Sequence, residues 1–284
     1  MNISKVAVIG GGTMGNGIAH VFAQNGYETT LVETKKEYLD RAMAFVKSNL
    51  ERQAKKGTID ANDISAILSR ITPTLKLDDA RDSNLVVEAA YEDMNVKKEI
   101  FLTLDKICPK ESILATNTSS LSITAITSNT KRPDKVIGMH FMNPVPMMKL
   151  VELIRGLATS DETFTVIRDL CIKLGKTPVE VSDFPGFVSN RILMPMINEA
   201  AFCLMEGVAK EQDIDTVMKL GMNHPMGPLT LADYIGLDVC LAIMEVLYNG
   251  YKDSKYRPCP LLWKMVQAGY LGRKTGKGFY EYNK

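Results

Sequence analysis

Two patterns of apolar and polar positions follow one another along the chain, and they change near residue 184. Before that point, short apolar or β-branched runs alternate with segments of helical periodicity, as strands and helices do. Strands separated by helices predict a largely parallel, doubly wound sheet with both faces covered. Beyond the opening unit, the pattern predicts strands near 71–75, 84–89, 112–116, 135–139, 149–154 and 177–181, and helices near 95–107, 120–127 and 161–174.

The first residues give the clearest local signal. "KVAVIGGGTMGNGIAHVFAQNGYETTLVE", residues 5–33, is typical of a strand, a glycine turn, a helix and a second strand. Residues 36–56 then have a long helical pattern that Gly57 ends, and a shorter helix is expected at about 60–69. We therefore expect a helical hairpin, about 36–69, inserted before the third strand.

After residue 184 only helical patterns remain. They cover about 187–207, 210–220, 228–249 and 258–268. The sequence thus predicts an α/β domain over residues 1–184 and a smaller all-helical domain over 185–284. The helical faces are rich in Leu, Ile and Met, and about 100 residues must cover them, which favours burial against a second copy in a homodimer.

Composition and charge exclude several classes of protein. Of the 284 residues 45% are hydrophobic and 24% charged, and 34 basic against 33 acidic residues leave a net charge of +1. No charged tail or patch indicates nucleic acid or a membrane surface as a partner. The five cysteines have no metal-ligand spacing, so we expect no metal and reduced thiols. No apolar stretch reaches the roughly 18 residues of a membrane span, and the first strand begins too early for a signal peptide. The expected location is cytoplasmic.

The glycine turn indicates a dinucleotide site. Gly10, Gly12 and Gly15 have the G-x-G-x-x-G spacing, follow a strand and open a helix, and the acidic Glu33 ends the next strand. The glycines would allow the tight turn, the approach of a pyrophosphate and close packing of helix on strand. A carboxylate at 33 favours NAD because it repels a 2′-phosphate, although Lys35 and Lys36 nearby keep NADP open.

His140 is the best candidate for a proton donor and acceptor. It follows "KVIGM" at the carboxyl end of a strand, where open α/β sheets bind ligands. His20 is expected to pack in the first helix and His224 to lie in a helix-connecting loop. Glu152 lies 12 residues after His140, and the prolines of "NPVP" favour a chain reversal near Pro146 that would bring the two opposite each other. The alternative is a surface glutamate in a turn.

Seven segments in the same order across the chain resemble those of the 3-hydroxyacyl-CoA dehydrogenases: "VIGGGTMGNGIAH", "VVEAAYED", "LATNTSSLSIT", "IGMHFMNPVPMMKLVE", "PGFVSNRI", "NHPMGPLTLADYIGLD" and "GRKTGKGFY". The resemblance implies a Rossmann-like first domain and a helical domain for substrate and dimerisation. It also implies reversible hydride transfer between NAD(H) and a short-chain substrate such as acetoacetyl-CoA.

The resemblance also implies site residues. The catalytic residues would be His140, Glu152, Ser119 and Asn190, with Ser119 and Asn190 contacting substrate. The cofactor contacts would be Gly10, Gly12, Thr13, Met14, Gly15, Glu33, Glu92, Lys97, Asn117, Ser119 and Lys274. Read without it, Ser119 could be a helix N-cap, Asn190 a helix-start hydrogen bond, Glu92 a helix N-terminal acid and Lys97 a solvated lysine.

The inserted helix carries Asn49, Arg52 and Lys56 on one face, where cations could meet the phosphates of coenzyme A. The alternative is a basic helix end that complements the helix dipole. Two other functions stay open: a related dehydrogenase of free hydroxy acids or hydroxy-sugar acids, and a non-catalytic NAD-binding or lens-type protein. The basic face disfavours the first, because a small acid would not need it. The presence of Ser119, His140, Glu152 and Asn190 together disfavours the second.

Overall fold

The computed structural model describes residues 3–128 and 130–282. Its internal contacts divide the chain into two units, with the boundary between Asp183 and Phe184. Among the described residues no helix is long and apolar enough to cross a bilayer.

Eight strands of the described residues form one sheet in the first unit, in the order β3-β2-β1-β4-β5-β6-β7-β8. Neighbouring strands are parallel except β6 and β7, which form an antiparallel hairpin. The bounds are β1 Lys5–Ile9, α1 Thr13–Gln24, β2 Glu28–Val32, α2 Lys36–Lys55, α3 Asp63–Ser69, β3 Ile71–Thr74, β4 Leu85–Glu88, α4 Met94–Ile107, β5 Ile113–Thr116, α5 Ile123–Thr127, β6 Val136–Phe141, β7 Leu150–Arg155, α6 Asp161–Lys173 and β8 Thr177–Ser182. The expected fold, a mostly parallel sheet with flanking helices, is confirmed.

Burial explains why the central strands are rich in apolar residues. All residues of β4, β5 and β6 are buried, which a strand between two helical layers requires. The edge strand β3 tolerates Pro73, because its missing N–H faces no neighbour there. The insertion lies where the periodicity predicts: Leu39, Ala42, Val46 and Leu50 form a buried stripe along α2.

The second unit is helical, as expected, but its helices are divided differently. The described helices are α7 Ser189–Met205, α8 Glu211–Thr216, a π-helical turn Val217–Gly221, α9 Pro228–Ile235, α10 Leu237–Tyr251 and α11 Pro260–Gln267. The single helix expected over 228–249 is wrong, since Gly236 has a φ of +106° and separates α9 from α10. The break brings Leu237 N–H to the carbonyl of Leu271 at 3.3 Å, so the last segment of the chain packs against it. The predicted helix over 210–220 continues past α8 only as the π-helical turn.

Candidate active site

The glycine turn between β1 and α1 is held by close backbone contacts. Gly10 has a φ of +98°, and a Cβ there would lie 2.7 Å from the carbonyl oxygen of Ala89. A Cβ on Gly15 would lie 1.7 Å from the carbonyl oxygen of Gly10. Gly12 differs: its φ is −59° and a Cβ would meet nothing within 4 Å. The chain itself therefore does not require glycine at 12, whereas a ligand approaching the backbone would.

The start of α1 is suited to an anion. Gly12 offers no side-chain cap, and the first turn contains no acidic residue. Free N–H groups and the positive end of the helix dipole are then available to phosphate oxygens. The residues present thus fit a dinucleotide.

Glu33 lies beside this turn at the end of β2. Its Oε1 accepts a hydrogen bond from Gly11 N–H at 2.9 Å and its Oε2 one from Thr34 N–H at 2.6 Å. Of the two nearby lysines, Lys36 pairs with Asp40 at 2.7 Å and Lys35 lies over the Tyr38 ring at 5.5 Å. Contact between Glu33 and a ribose stays a prediction, but the carboxylate is fixed on the same turn as the glycines.

His140 and Glu152 form a buried cross-strand pair. They stand directly opposite each other in the β6–β7 hairpin, and Nδ1 of His140 is 2.7 Å from Oε2 of Glu152. Both side chains are buried, at 7% and 3% exposure. The expected reversal is present, with Met147 and Met148 N–H donating to Pro144 O at 3.0 Å. The surface-glutamate alternative for Glu152 is therefore wrong.

Lys176, which the sequence reasoning did not identify, holds this hairpin from outside. Its buried ammonium donates to Val145 O at 2.5 Å and to Met148 O at 2.8 Å. Burial lowers the pKa of Lys176. The turn also packs on α1, since a Cβ on Gly17 would lie 2.9 Å from Cβ of Val145. A lysine after a helix-ending glycine gives no sequence signal for such a role.

Ser119 completes a line of three side chains. Its Oγ is 3.1 Å from Nε2 of His140, so the imidazole lies between the Glu152 carboxylate and a hydroxyl. The carboxylate accepts from Nδ1–H and thereby directs Nε2 toward proton exchange. The N-cap of α5 is Ser122, whose Oγ accepts from Ala125 N–H at 3.2 Å. The capping alternative for Ser119 is therefore wrong.

The turn that carries Ser119 is bound by Glu92. Oε1 of Glu92 accepts from Ser119 N–H at 2.9 Å, from Ser120 N–H at 3.2 Å and from the Thr118 hydroxyl. Glu92 precedes the N-cap of α4, which is Asp93. Lys97 is buried at 1% exposure and pairs with Glu88 and Glu92, so the solvated-lysine alternative is wrong.

Asn117 ties β5 to the acid–base hairpin. Its Oδ1 accepts from Phe141 N–H at 2.9 Å, and its own N–H donates to Glu88 O at 2.7 Å. The side chain is buried at the carboxyl edge of the sheet, one residue after β5. Its predicted cofactor contact stays a prediction.

The remaining predicted residues belong to other elements. Asn190 is the second residue of α7 and is buried, and Lys274 pairs with Asp238 at 2.7 Å; both belong to the second unit. Asn49 and Arg52 lie on α2, where Arg52 is exposed and donates to Ser48 Oγ at 3.3 Å. Lys56 is the exposed C-cap of α2. Their contacts with cofactor or coenzyme A stay predictions.

Two features define the class of protein: the glycine turn after β1, and the line of carboxylate, imidazole and hydroxyl formed by Glu152, His140 and Ser119. They are what a nicotinamide-dependent dehydrogenase of hydroxy compounds needs: a place for the dinucleotide and a proton donor beside it.

Comparison with known proteins identifies the family. Residues 5–184 match the 3-hydroxyacyl-CoA dehydrogenase NAD binding domain, and residues 186–282 match the 3-hydroxyacyl-CoA dehydrogenase C-terminal domain. The chain is 56% identical over 282 residues to a probable 3-hydroxybutyryl-CoA dehydrogenase of Bacillus subtilis, covering 99% of this chain and 98% of that one. It is 55% identical over 280 residues to the 3-hydroxybutyryl-CoA dehydrogenase of Clostridioides difficile, covering 99% and 100%.

A solved structure agrees. The crystal structure of (S)-3-hydroxybutyryl-CoA dehydrogenase from Ralstonia eutropha matches with a TM-score of 0.96 and 50% identity, covering all of both chains. The chain belongs to the 3-hydroxyacyl-CoA dehydrogenase family. It is an NAD-dependent dehydrogenase, as the sequence motifs predict.

Proposed function

We propose that the enzyme interconverts acetoacetyl-CoA and L-3-hydroxybutyryl-CoA with NAD(H). Relatives that are 55% and 56% identical over almost their whole length bear the name of that activity. The observation that carries the chemical part of the proposal is the continuous line from Glu152 through His140 to the hydroxyl of Ser119.

The residues divide the reaction between them. In the reducing direction, a nicotinamide held at the glycine turn would supply the hydride that C3 of the acyl group receives. Nε2 of protonated His140 donates a proton to the oxygen on C3, and the Ser119 hydroxyl hydrogen-bonds the same oxygen. Glu152, at 2.7 Å from Nδ1, orients the ring and stabilises its charged form. Acid–base assistance of this kind contributes about 10²–10⁴-fold to a rate.

The cofactor residues follow from the fit of the turn. Gly10, Gly12 and Gly15, with Thr13 and Met14 between them, would hold the pyrophosphate at the start of α1, and Glu33 would receive the adenosine ribose. The Glu33 carboxylate favours NAD over NADP, because it would repel a 2′-phosphate. We assign Asn190 to the thioester carbonyl and the face of Asn49, Arg52 and Lys56 to the phosphates of coenzyme A, following the family resemblance.

Steady-state kinetics test the proposal. We expect turnover of acetoacetyl-CoA with NADH, at least tenfold lower kcat/KM with NADPH, and far less activity on free acetoacetate. His140→Gln should lower kcat by about 10²-fold or more while the urea unfolding midpoint stays near that of the wild type. Equal kcat/KM for acetoacetate and its thioester would refute the substrate, and near-wild-type turnover in His140→Gln would refute the mechanism.

We also propose that the enzyme is a cytoplasmic homodimer formed through the helical unit. All five cysteines are free thiols, which fits a reducing compartment. In the helical unit, an apolar cavity of about 410 Å³ lies between α7, α8 and the π-helical turn. Val208, Val217 and Leu220 stand exposed beside it, at 70%, 60% and 80%.

Light scattering tests the dimer. These apolar side chains at the two ends of α8 are exposed in a single copy of the chain, and a second copy could bury them. A charge introduced there should therefore oppose association. Leu220→Asp should shift the mass toward the monomer. Leu157→Asp, which changes a leucine of the first unit that is 90% exposed, is the matched control and should leave the mass unchanged. A Leu220→Asp variant with the wild-type mass would exclude this surface.

A further inference from the structure

Lys97 is a buried cation whose presence the fold alone does not explain. Its side chain is 1% exposed, and its Nζ lies 2.7 Å from Glu88 Oε1 and 3.2 Å from Glu92 Oε2. Taking a lysine and a carboxylate out of water costs more than their attraction returns in many proteins, and an apolar residue of similar volume is often as stable. We therefore ask which parts of the candidate active site this buried ion pair holds in place.

The inner end of the pair fixes two strand ends. Glu88, the last residue of β4, is fully buried, and its Oε2 accepts from the Thr116 hydroxyl at the end of β5 at 2.7 Å. Its Oε1 accepts from Ala90 N–H at 2.7 Å. Burial raises the pKa of Glu88, and the ammonium of Lys97 opposes that rise. Lys97 is thus anchored to the rigid edge of the sheet.

The outer end binds the turn that carries Ser119. Oε1 of Glu92 receives the donors of residues 118–120, while its Oε2 faces Lys97. Partial burial opposes ionisation of Glu92, yet Lys97 and the donors of Thr118 and Ser119 outweigh it and hold its pKa below the usual range. The carboxylate therefore stays charged and grips the turn.

We propose that Glu88, Lys97 and Glu92, here called the Lys97 tie, position the Ser119 hydroxyl against Nε2 of His140. The proposal rests on the proposed function of Ser119 and adds positioning residues to it. The tie reaches from β4 and β5 to the turn, where Oε1 of Glu92 accepts from Ser119 N–H, Ser120 N–H and the Thr118 hydroxyl. Besides its predicted cofactor contact, the proposal assigns Lys97 a positioning role: the ammonium contacts Glu88, Glu92 and Ala90 O, and it acts on the turn through Glu92.

The first test changes Glu92, whose side chain is 38% exposed and whose replacement should not unfold the protein. In Glu92→Gln the charge facing Lys97 is lost, the turn loosens and the Ser119 hydroxyl moves. We expect kcat to fall about 10–100-fold, as small misplacements of reacting groups do. KM for acetoacetyl-CoA should stay within about twofold of the wild type, and kcat is measured at saturating NADH because Glu92 is also a predicted cofactor contact. A wild-type kcat at saturating NADH in Glu92→Gln would overturn the proposal.

A double-mutant cycle with Ser119→Ala asks whether the tie acts through Ser119. If it does, Glu92→Gln lowers kcat in the wild type but not in the Ser119→Ala background. Independent, multiplying losses in the two variants would overturn the proposal. A Ser119→Ala enzyme with the wild-type kcat would instead overturn the proposed function of Ser119 itself, so the two failures are distinct.

A second pair of variants separates positioning from stability. Lys97→Met alone leaves Glu88 buried without its cation, so the double variant Glu88→Gln, Lys97→Met removes both charges together. We expect its urea unfolding midpoint to match the wild type and its kcat to fall as in Glu92→Gln. Lys106→Met, which changes an exposed lysine of the same helix, is the control and should alter neither quantity. Full kcat in the stable double variant would overturn the role of Lys97.

Discussion

Gly12 and Gly15 belong to one motif, but the structure predicts opposite consequences for replacing them with alanine. A Cβ at 12 would lie in open space, and the backbone there, with φ −59° and ψ −167°, suits alanine. A weaker helix N-cap and a less flexible unfolded chain offset each other at about 0.5–1 kcal/mol each. We therefore expect Gly12→Ala to change the free energy of unfolding by less than about 1 kcal/mol.

Gly15→Ala should damage the fold. Its Cβ would lie 1.7 Å from Gly10 O, so α1 and the turn must separate by more than an ångström. Overpacking that forces backbone shifts costs about 1–3 kcal/mol and occasionally more, and the overlap at Gly15 calls for a value at the upper end. The loss should appear directly in urea unfolding, whether or not NADH is present.

Gly12→Ala should weaken cofactor binding, although it leaves the free energy of unfolding nearly unchanged. The added methyl would occupy the side of the turn that a pyrophosphate must approach, and hydrogen bonds to a charged group are worth about 1.5–3 kcal/mol. At 1.4 kcal/mol per factor of ten, Kd for NADH should rise about 10–100-fold. Fluorescence titration with NADH and urea unfolding on the same preparations measure both effects. Wild-type NADH affinity in Gly12→Ala, or a loss of several kcal/mol in its stability, would refute the reasoning.

Three further predictions concern other parts of the first unit. Glu152→Gln keeps the shape but replaces a charge-assisted hydrogen bond at 2.7 Å by a weaker neutral one, so kcat should fall about 10–100-fold while Kd for NADH is unchanged; stopped-flow reduction that proceeds at the wild-type rate would contradict this. Lys176→Met removes the donor to two carbonyls of the hairpin turn. We expect the free energy of unfolding, measured in urea, to fall by about 2–4 kcal/mol and kcat to fall with it. An unchanged free energy of unfolding would show that packing alone holds the turn. His20 is buried and its pKa is lowered by that burial, so below about pH 6.5 the unfolded chain takes up a proton that the native protein refuses. The stability of the wild type relative to His20→Gln should hence be constant above pH 7 and fall as the pH drops through 6, by at most about 1.4 kcal/mol per pH unit; a parallel pH dependence of the two proteins would exclude this origin.

The fold and the pair of His140 and Glu152 could be predicted from the sequence, because both depend on local signals. Apart from Glu88, Thr116 and His140 near their carboxyl ends, β4, β5 and β6 consist of apolar residues and glycine, as expected of strands covered on both faces. The opposition of His140 and Glu152 follows from an even spacing about two prolines, since residues equidistant from a tight reversal share one face of a hairpin.

The features that could not be predicted from the sequence depend on contacts between residues far apart in the chain or on a choice among similar neighbouring residues. Lys97 is ordinary in its helix, and its burial depends on Glu88, nine residues earlier in another element. Three serines of "TSSLS" could each cap a helix, and only the structure separates Ser122, which does, from Ser119, which faces His140. The sequence pattern is helical on both sides of Gly236, and one glycine costs a helix only about 1 kcal/mol, so the sequence predicts a single helix. The break between α9 and α10 depends instead on a distant contact, the hydrogen bond from Leu237 N–H to Leu271 O.

The contact between Gly17 and the turn at Val145 has a consequence for the range of substrates. It joins the helix that begins at the cofactor turn directly to the hairpin that holds the proton donor, with a hydrogen atom where any other residue would place a carbon. Together with the sheet, this contact therefore fixes the separation between the start of α1 and the hairpin that holds His140 inside the first unit. Acyl groups of different length leave that separation untouched, so selectivity for chain length can change through residues outside this contact while the chemistry stays the same.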